Sequence, residues 1–336
     1  MSSSTSCSSV ALPQAARGRR GRSLRAAAFA LLVAATLWIT GELLESLAMS
    51  LDFDLLKVRE MMSLQGETND ILYLGDSTTL DAVNPAVVDE ILGTRSYNCA
   101  SGQQRLSASE MILRHYLKNN ARPRLIVYGL FVNSPRGGSH VNLAVYESLG
   151  PDLRRLYCQR MLEQRGNPVT WSDAAINSIK AYRYRDAIAY GIKYLIMGEK
   201  RRPKFVQGHL AIEMSRSIGS EAAREVLAEP PGIGGLLQYC ADQRLPLLIF
   251  EPPNTPGYSA DTKGRGEVLA YLQAGVRQDP LVAFRSFNDE GSLPYASDEW
   301  YVLNHLNAKG AIRFTREQLV PYIREFFNAG GDSGRQ

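Results

Sequence analysis

Four residues far apart in the chain carry groups suited to acyl chemistry. Ser77 lies in Leu74-Gly75-Asp76-Ser77, Gly102 ends Asn98-Cys99-Ala100-Ser101-Gly102, Asn133 follows an apolar run, and His305 precedes Leu306-Asn307-Ala308-Lys309-Gly310-Ala311. A serine hydroxyl is a weak nucleophile until a base takes its proton, and histidine suits that task at neutral pH. The oxyanion formed at a carbonyl needs donors already in place, which backbone N–H groups and an asparagine amide supply. Ser77 as nucleophile, its own N–H with Gly102 N–H and Asn133 as donors, and His305 as base would form a complete set. Each residue also has a plainer reading. Gly-Asp-Ser is an ordinary turn and helix cap, Gly102 serves a turn, and Asn133 before Ser134-Pro135 starts one. A Cys99–His305 pair competes as nucleophile and base, against a buried cysteine that simply packs as an apolar residue.

These groups make one site only if the chain brings them to one edge of the fold. Asp70 to Leu74 is a short apolar run stopped by Gly75-Asp76-Ser77-Thr78, which predicts a buried strand, a turn and a helix start. Further strands are predicted at 95–98, 125–132, 246–250 and, more weakly, 283–287, with helices over 107–119 and 309–327. Short apolar strands alternating with helices argue for an α/β fold with a parallel central sheet covered on both faces. In such sheets the carboxyl ends of the strands carry the site, at a switch in strand order. Glu251-Pro252-Pro253 would shape the cleft wall there. Residues 134–231 show no comparable strand and read as a helical insertion. It is basic: residues 136–204 hold 13 Lys/Arg against 6 Asp/Glu. Such a surface could take anionic glycan or phospholipid head groups, or be a solvated face. Tyr182, Tyr184 and Tyr190 could stack on sugars or fill a core.

The chain has 336 residues, 45% apolar and 21% charged, with net charge +4, which describes a globular protein with ample core. No aromatic-interleaved basic stripe supports nucleic acid. Four cysteines without a CxxC and four scattered histidines support neither a disulfide framework nor a metal. No GxGxxG or GxxxxGK[ST] follows the first strand, which argues against nucleotide binding. Five arginines and no acid precede Ala26–Gly41, a 16-residue run without charge. That run is short of the ~20 residues that cross a bilayer squarely. Extension through Leu51, with Glu42 and Glu45 near the interface, supplies the length and predicts an uncleaved signal anchor. A cleaved signal peptide is the alternative, but the one small-x-small site, Ser46-Leu47-Ala48, lies beyond two acids. Either way the basic tail stays in the cytoplasm and the body lies outside.

Taken together, Leu74-Gly75-Asp76-Ser77, Asn98-Cys99-Ala100-Ser101-Gly102 and His305 before a C-terminal helix resemble the SGNH/GDSL hydrolase family. The single N-terminal anchor, the early Gly-Asp-Ser and the late His-Leu-Asn-x-x-Gly-Ala are most similar to membrane-anchored proteins of the alginate O-acetylation and D-alanyl-lipoteichoic-acid type. The resemblance implies a three-layer flavodoxin-like (SGNH) fold over residues 69–328, with the helical insertion at about 136–231. Before it come a tail (1–25), an anchor (26–51) and a juxtamembrane linker (52–68), and after it a flexible tail (329–336). It implies Ser77 as nucleophile, Gly102 and Asn133 as oxyanion donors, His305 as base and no cofactor. It also implies a serine esterase or O-acyltransferase in the cytoplasmic membrane, facing the periplasm or exterior. Its substrates would be an acyl donor and an extracytoplasmic polysaccharide or envelope glycan, and its partner a membrane-bound O-acyltransferase. Two positions depart from the family pattern. The third block has Gly129 four residues before Asn133 and Ser134 in place of an acid. The residue three before His305 is Val302, where the family places an aspartate that orients the base. Asp298 is the expected substitute orienter, with Glu299 beside it. A Ser–His dyad with a backbone carbonyl as orienter is a further option. The rival reading is a degenerate SGNH fold serving as a glycan-binding or assembly subunit.

Overall fold

Four of the five strands of the main sheet are buried along their whole length, and the fifth, at one edge, is partly exposed. The computed structural model describes residues 14–51, 53–102, 104, 106–132, 145, 149–165, 188, 192, 205–212, 233–255, 258, 264–276, 279–289 and 294–331. The strands are β1 (Ile71–Gly75), β2 (Ser96–Asn98), β3 (Leu125–Gly129), a two-residue hairpin of β4 (Phe205–Val206) and β5 (His209–Leu210), then β6 (Leu247–Glu251) and β7 (Val282–Ser286). A second small hairpin pairs β8 (Trp300–Val302) with β9 (His305–Leu306). The main sheet is parallel throughout, in the order β2-β1-β3-β6-β7. Every residue of β1, β3 and β6 is buried, which is why these segments read as unbroken apolar runs. The β4–β5 hairpin lies inside the stretch where the apolar pattern predicts no strand; two residues per strand are too few to leave a period.

The helices are α1 (Gln14–Leu51), α2 (Phe53–Met62), α3 (Ser77–Ala82), α4 (Pro85–Leu92), α5 (Leu106–Asn119), α6 (Pro151–Arg165), α7 (Ile233–Asp242), α8 (Arg265–Val276), α9 (Ala308–Phe314) and α10 (Val320–Gly331). The pattern above leaves α4 unassigned, although its signals are present. Asn84 Oδ1 accepts from Ala86 N, Pro85 takes the first helical position, and Gly93 closes the helix at φ 65°. A π turn, Thr315–Leu319, joins α9 to α10. Pro321 explains it: the ring crowds the carbonyl four residues back, and the wider turn relieves that. α1 belongs to one unit of the chain, and helices α2 to α10 with all nine strands belong to another. Leu24–Ala48 within α1 is long and apolar enough to cross a membrane, 25 residues or about 37 Å, with Phe29, Leu31, Leu32 and Trp38 exposed.

Alternation along the strands sends Ile71, Tyr73, Leu125, Val127, Leu248 and Phe250 to one face, where they form a single cluster with residues of α4, α9 and α10. Phe287 meets Phe314 edge-on at 5.1 Å and Tyr322 at 6.0 Å within it. This packing fixes α9, and with it the hairpin that precedes α9, against α3 at the carboxyl end of β1. Because the chain runs outward from β1 to β2 and then returns past β1 to β3, the order of strands switches at β1 and β3. A crevice opens at such a switch.

Candidate active site

β1 delivers Ser77 to the carboxyl edge of the sheet at that switch. The strand ends at Gly75 with φ 147°, where a Cβ would lie 2.7 Å from the Gly129 carbonyl oxygen and collide with Thr79 Oγ1. Glycine is therefore required for the turn. Asp76 next caps α3, its Oδ1 accepting from Thr78 N at 3.0 Å and from Thr78 Oγ1 at 2.6 Å. Burial pushes the Asp76 carboxyl up to about 6, with the bonds from Thr78 opposing. Ser77 follows as the first residue of α3. Within Gly-Asp-Ser, the first two residues build the turn and the cap, and only the third is free for chemistry.

The β8–β9 hairpin delivers His305. Its Nε2 lies 2.9 Å from Ser77 Oγ. Its Nδ1 lies 2.8 Å from Asn304 Oδ1. An amide oxygen only accepts, so Nδ1 carries the proton and the Nε2 lone pair faces the serine hydroxyl, which donates to it. Burial lowers the imidazole to about 4, so it is neutral and able to take a proton at ordinary pH. A third group joins them. Asp81 follows Ser77 by four residues, which places it on the same helical face. Its Oδ2 lies 3.9 Å from His305 Nε2, and its Oδ1 is buried without a hydrogen-bond partner. Burial first, then the Asp54 and Asp76 carboxylates, raise the Asp81 pKa well above the usual range.

The expected orienter, Asp298, is not at His305. It is exposed on a 3-10 turn, Ser297–Glu299, and its carboxylate accepts from Lys309 Nζ at 2.7 Å, which lowers its pKa. Glu299 is spent elsewhere too: its Oε2 accepts from Ala296 N at 2.6 Å and from Arg313 at 2.9 Å. Val302 pairs with His305 across the hairpin, so an apolar side chain stands where the resemblance expects the acid. Asn304 takes the Nδ1 contact instead. Asn133 lies outside the described residues. Gly102 is beside the site, since Ser101 N donates to Gly75 O at 3.3 Å, but Gly102 N–H already donates to Asp54 Oδ1 at 2.9 Å. Cys99 is buried with its thiol pushed up to about 12 by that burial, which fits packing and not a thiolate nucleophile.

Other residues of the sequence blocks position these groups. Asn98 Nδ2 donates to the carbonyls of Thr79 and Val83 and its Oδ1 accepts from Ala100 N, which staples the end of β2 to α3. Asn307 caps α9 through Gly310 N and donates to Asp298 O at 2.7 Å, tying the hairpin to the helix. Asn304, Asp81 and Asp54 were not foreseen. Asn304 adjoins His305 and Asp81 sits one turn after Ser77, so both had a spacing signal; Asp54 had none. Among the described residues, no group of three or more His, Cys, Asp or Glu side chains is arranged to hold a metal ion. No family model matches the chain, and no curated protein matches it.

Proposed function

We propose that the protein is a membrane-anchored serine acyl esterase or O-acyltransferase of the SGNH type, acting on an extracytoplasmic polysaccharide or envelope glycan. One observation carries the chemistry: Ser77 Oγ and His305 Nε2 stand 2.9 Å apart with the imidazole in the tautomer a base requires. The order of the five parallel strands, which is that of flavodoxin-like sheets, supports the fold that the motifs imply. As Ser77 Oγ bonds to the ester carbonyl carbon, its proton passes to His305 Nε2 and the carbonyl electron pair moves onto oxygen. Ser77 N–H, Gly102 N–H and Asn133 are the donors this reading assigns to that oxyanion. Collapse breaks the bond to the leaving alkoxide, which takes the proton from Nε2 and leaves acyl-Ser77. Water or a sugar hydroxyl then attacks the acyl carbon, gives its proton to Nε2, and releases the acid or the new ester as the proton returns to Ser77. An ionised Asp81 would favour the transient imidazolium.

The apolar span of α1 behind five arginines supports a single-pass anchor with the body outside. That placement suits a glycan substrate and a membrane-bound O-acyltransferase partner. The test is the full chain in detergent micelles, treated with a fluorophosphonate and read by intact mass beside Ser77→Ala and His305→Ala. One adduct on the parent protein, lost in Ser77→Ala and strongly slowed in His305→Ala, is expected. A folded protein that forms no adduct would leave the non-catalytic reading, a glycan-binding or assembly subunit. One observation favours that rival: an assigned oxyanion donor, Gly102 N–H, is already engaged by Asp54.

A further inference from the structure

The engagement of Gly102 is specific in its geometry. Asp54 lies in the first turn of α2, three residues beyond the end of α1. Its Oδ1 accepts the Gly102 N–H at 2.9 Å, and a Cβ on Gly102 would overlap the Asp54 carboxylate, so the loop is shaped to admit that group closely. Three residues further along α2, Lys57 is fully buried. Its Nζ donates to Asn98 O at 2.6 Å and sits 4.6 Å above the Tyr97 ring. Asp54 and Lys57 are one helical turn apart and hold the two ends of one loop, Asn98 to Gly102. α2 is thus fastened onto the loop that, in the proposed chemistry, must bind an oxyanion. A carboxylate oxygen on that N–H is the same kind of acceptor as the oxyanion and competes with it for the donor. The Asp54 charge also acts on Asp81, disfavouring the ionised carboxyl beside His305.

We propose that Asp54 is an autoinhibitory plug: the juxtamembrane helix α2 holds its carboxylate on the Gly102 N–H in the resting state, and the site becomes fully competent when α2 withdraws. The inference rests on the serine-acyl reading of the site. It makes the segment next to the membrane anchor the regulatory element, so that an event at the anchor, such as engagement of a membrane partner, reaches the oxyanion donor through one short helix. Withdrawal would free the donor and relieve the repulsion at Asp81 together.

The experiment compares fluorophosphonate labelling rates at Ser77 in the full-length protein with Asp54→Ala and Asp54→Asn. Arg59→Ala, an exposed change on the same helix, is the comparator. Removing a charge-assisted competitor is expected to raise the rate about tenfold to a hundredfold in Asp54→Ala. A smaller rise is expected in Asp54→Asn, whose amide oxygen still accepts, and none in Arg59→Ala. Hydrogen exchange of the peptide containing Gly102 is read beside it, and is expected to quicken in Asp54→Ala. Asp54→Asn keeps the shape of the side chain and serves if the alanine variant does not fold. Labelling at the parental rate or slower in both Asp54 variants overturns the plug and leaves the serine chemistry standing. Absence of labelling in the parent and in both folded variants overturns the plug and the serine reading together.

Discussion

Asn304 occupies the atom where this site departs most from a serine–histidine–aspartate triad, and replacing it has a calculable consequence. Its Oδ1 lies 2.8 Å from His305 Nδ1 and is the acceptor that holds the proton there. Asn304→Ala removes that acceptor, and the imidazole then divides between tautomers and loses its fixed plane. Losing one hydrogen bond at a largely buried group costs roughly 1–3 kcal/mol. At about 1.4 kcal/mol per decade, that is a fivefold to hundredfold fall in the rate of attack by Ser77. The fall stays well short of the roughly 10⁴ that an Asp→Asn change costs in a serine-protease triad. There the amide imposes the wrong tautomer, whereas alanine leaves both accessible.

Asn304→Asp tests the same contact in the opposite direction. Asparagine and aspartate share a shape, so the carboxylate would fall on the Nδ1–H, and a charge-assisted bond is roughly twice as strong as a neutral one. The imidazolium gains a counter-charge, the base strengthens, and the rate rises about tenfold, roughly the effect of 1.4 kcal/mol. The acidic limb of the profile should also move to higher pH. The assay is the second-order rate constant of fluorophosphonate addition at Ser77 between pH 4 and 9, with thermal melts to show that each variant is folded. Rates within twofold of the parent in both variants would refute the view that Asn304 orients the base.

The pH profile of the parent protein gives a second check. Attack needs an unprotonated Nε2, and burial lowers the imidazole to about 4, so labelling should stay level from pH 8 down to about 5 and fall only near 4 and below. A limb near the ordinary histidine value would show the ring to be solvated. Asp298→Ala should label within twofold of the parent, because that carboxylate is exposed on Lys309; a tenfold loss would restore it as orienter. Gly75→Ala should lower stability by roughly 2 kcal/mol or more, seen as a fall in Tm, because φ 147° is strained for any side chain and the Cβ has no room.

Legibility in the sequence followed the physics of each feature. β1, β3 and β6 were readable because burial on both faces demands unbroken apolar runs, and the boundaries expected from those runs agree with the structure to within three residues. The pairing of Ser77 with His305 was readable only through motif order, since 228 residues separate them and no local signal spans that distance. Asp298 stands away from His305 for a definite reason. Its distance along the chain would allow it to fold back, but Lys309, in the first turn of α9, offers a nearer cation at the surface. Asn304 is inconspicuous in the sequence because a neutral amide meets the geometric half of the orienting role without the charge that marks an acid. Asp54 could not be read at all, because nothing in residues 52–68 marks which polar group of an amphipathic helix turns toward a glycine more than forty residues away.

The residues that sequence motifs make conspicuous are mostly scaffolding here. Gly75 and Asp76 make the turn and cap that present Ser77; Asn98 pins β2 to α3; Asn307 and Gly310 set α9 behind the hairpin. Each fixes backbone, and together they bring Ser77 Oγ and His305 Nε2 to 2.9 Å from two independent elements. The groups that would tune the proposed chemistry, Asn304, Asp81 and Asp54, lie outside those motifs and are all acids or their amide. They act on the same imidazole or on the Gly102 N–H, Asn304 through a neutral hydrogen bond and the two acids through charge. A carboxylate at Nδ1 would strengthen the base permanently. An amide there, with an acid near Nε2 whose ionisation is opposed first by burial and then by Asp54, would leave part of the strength of the base to the position of α2. On the proposed reading, the departure from the triad and the engaged Gly102 N–H are two parts of one arrangement, in which α2 would control a site that the scaffold keeps assembled.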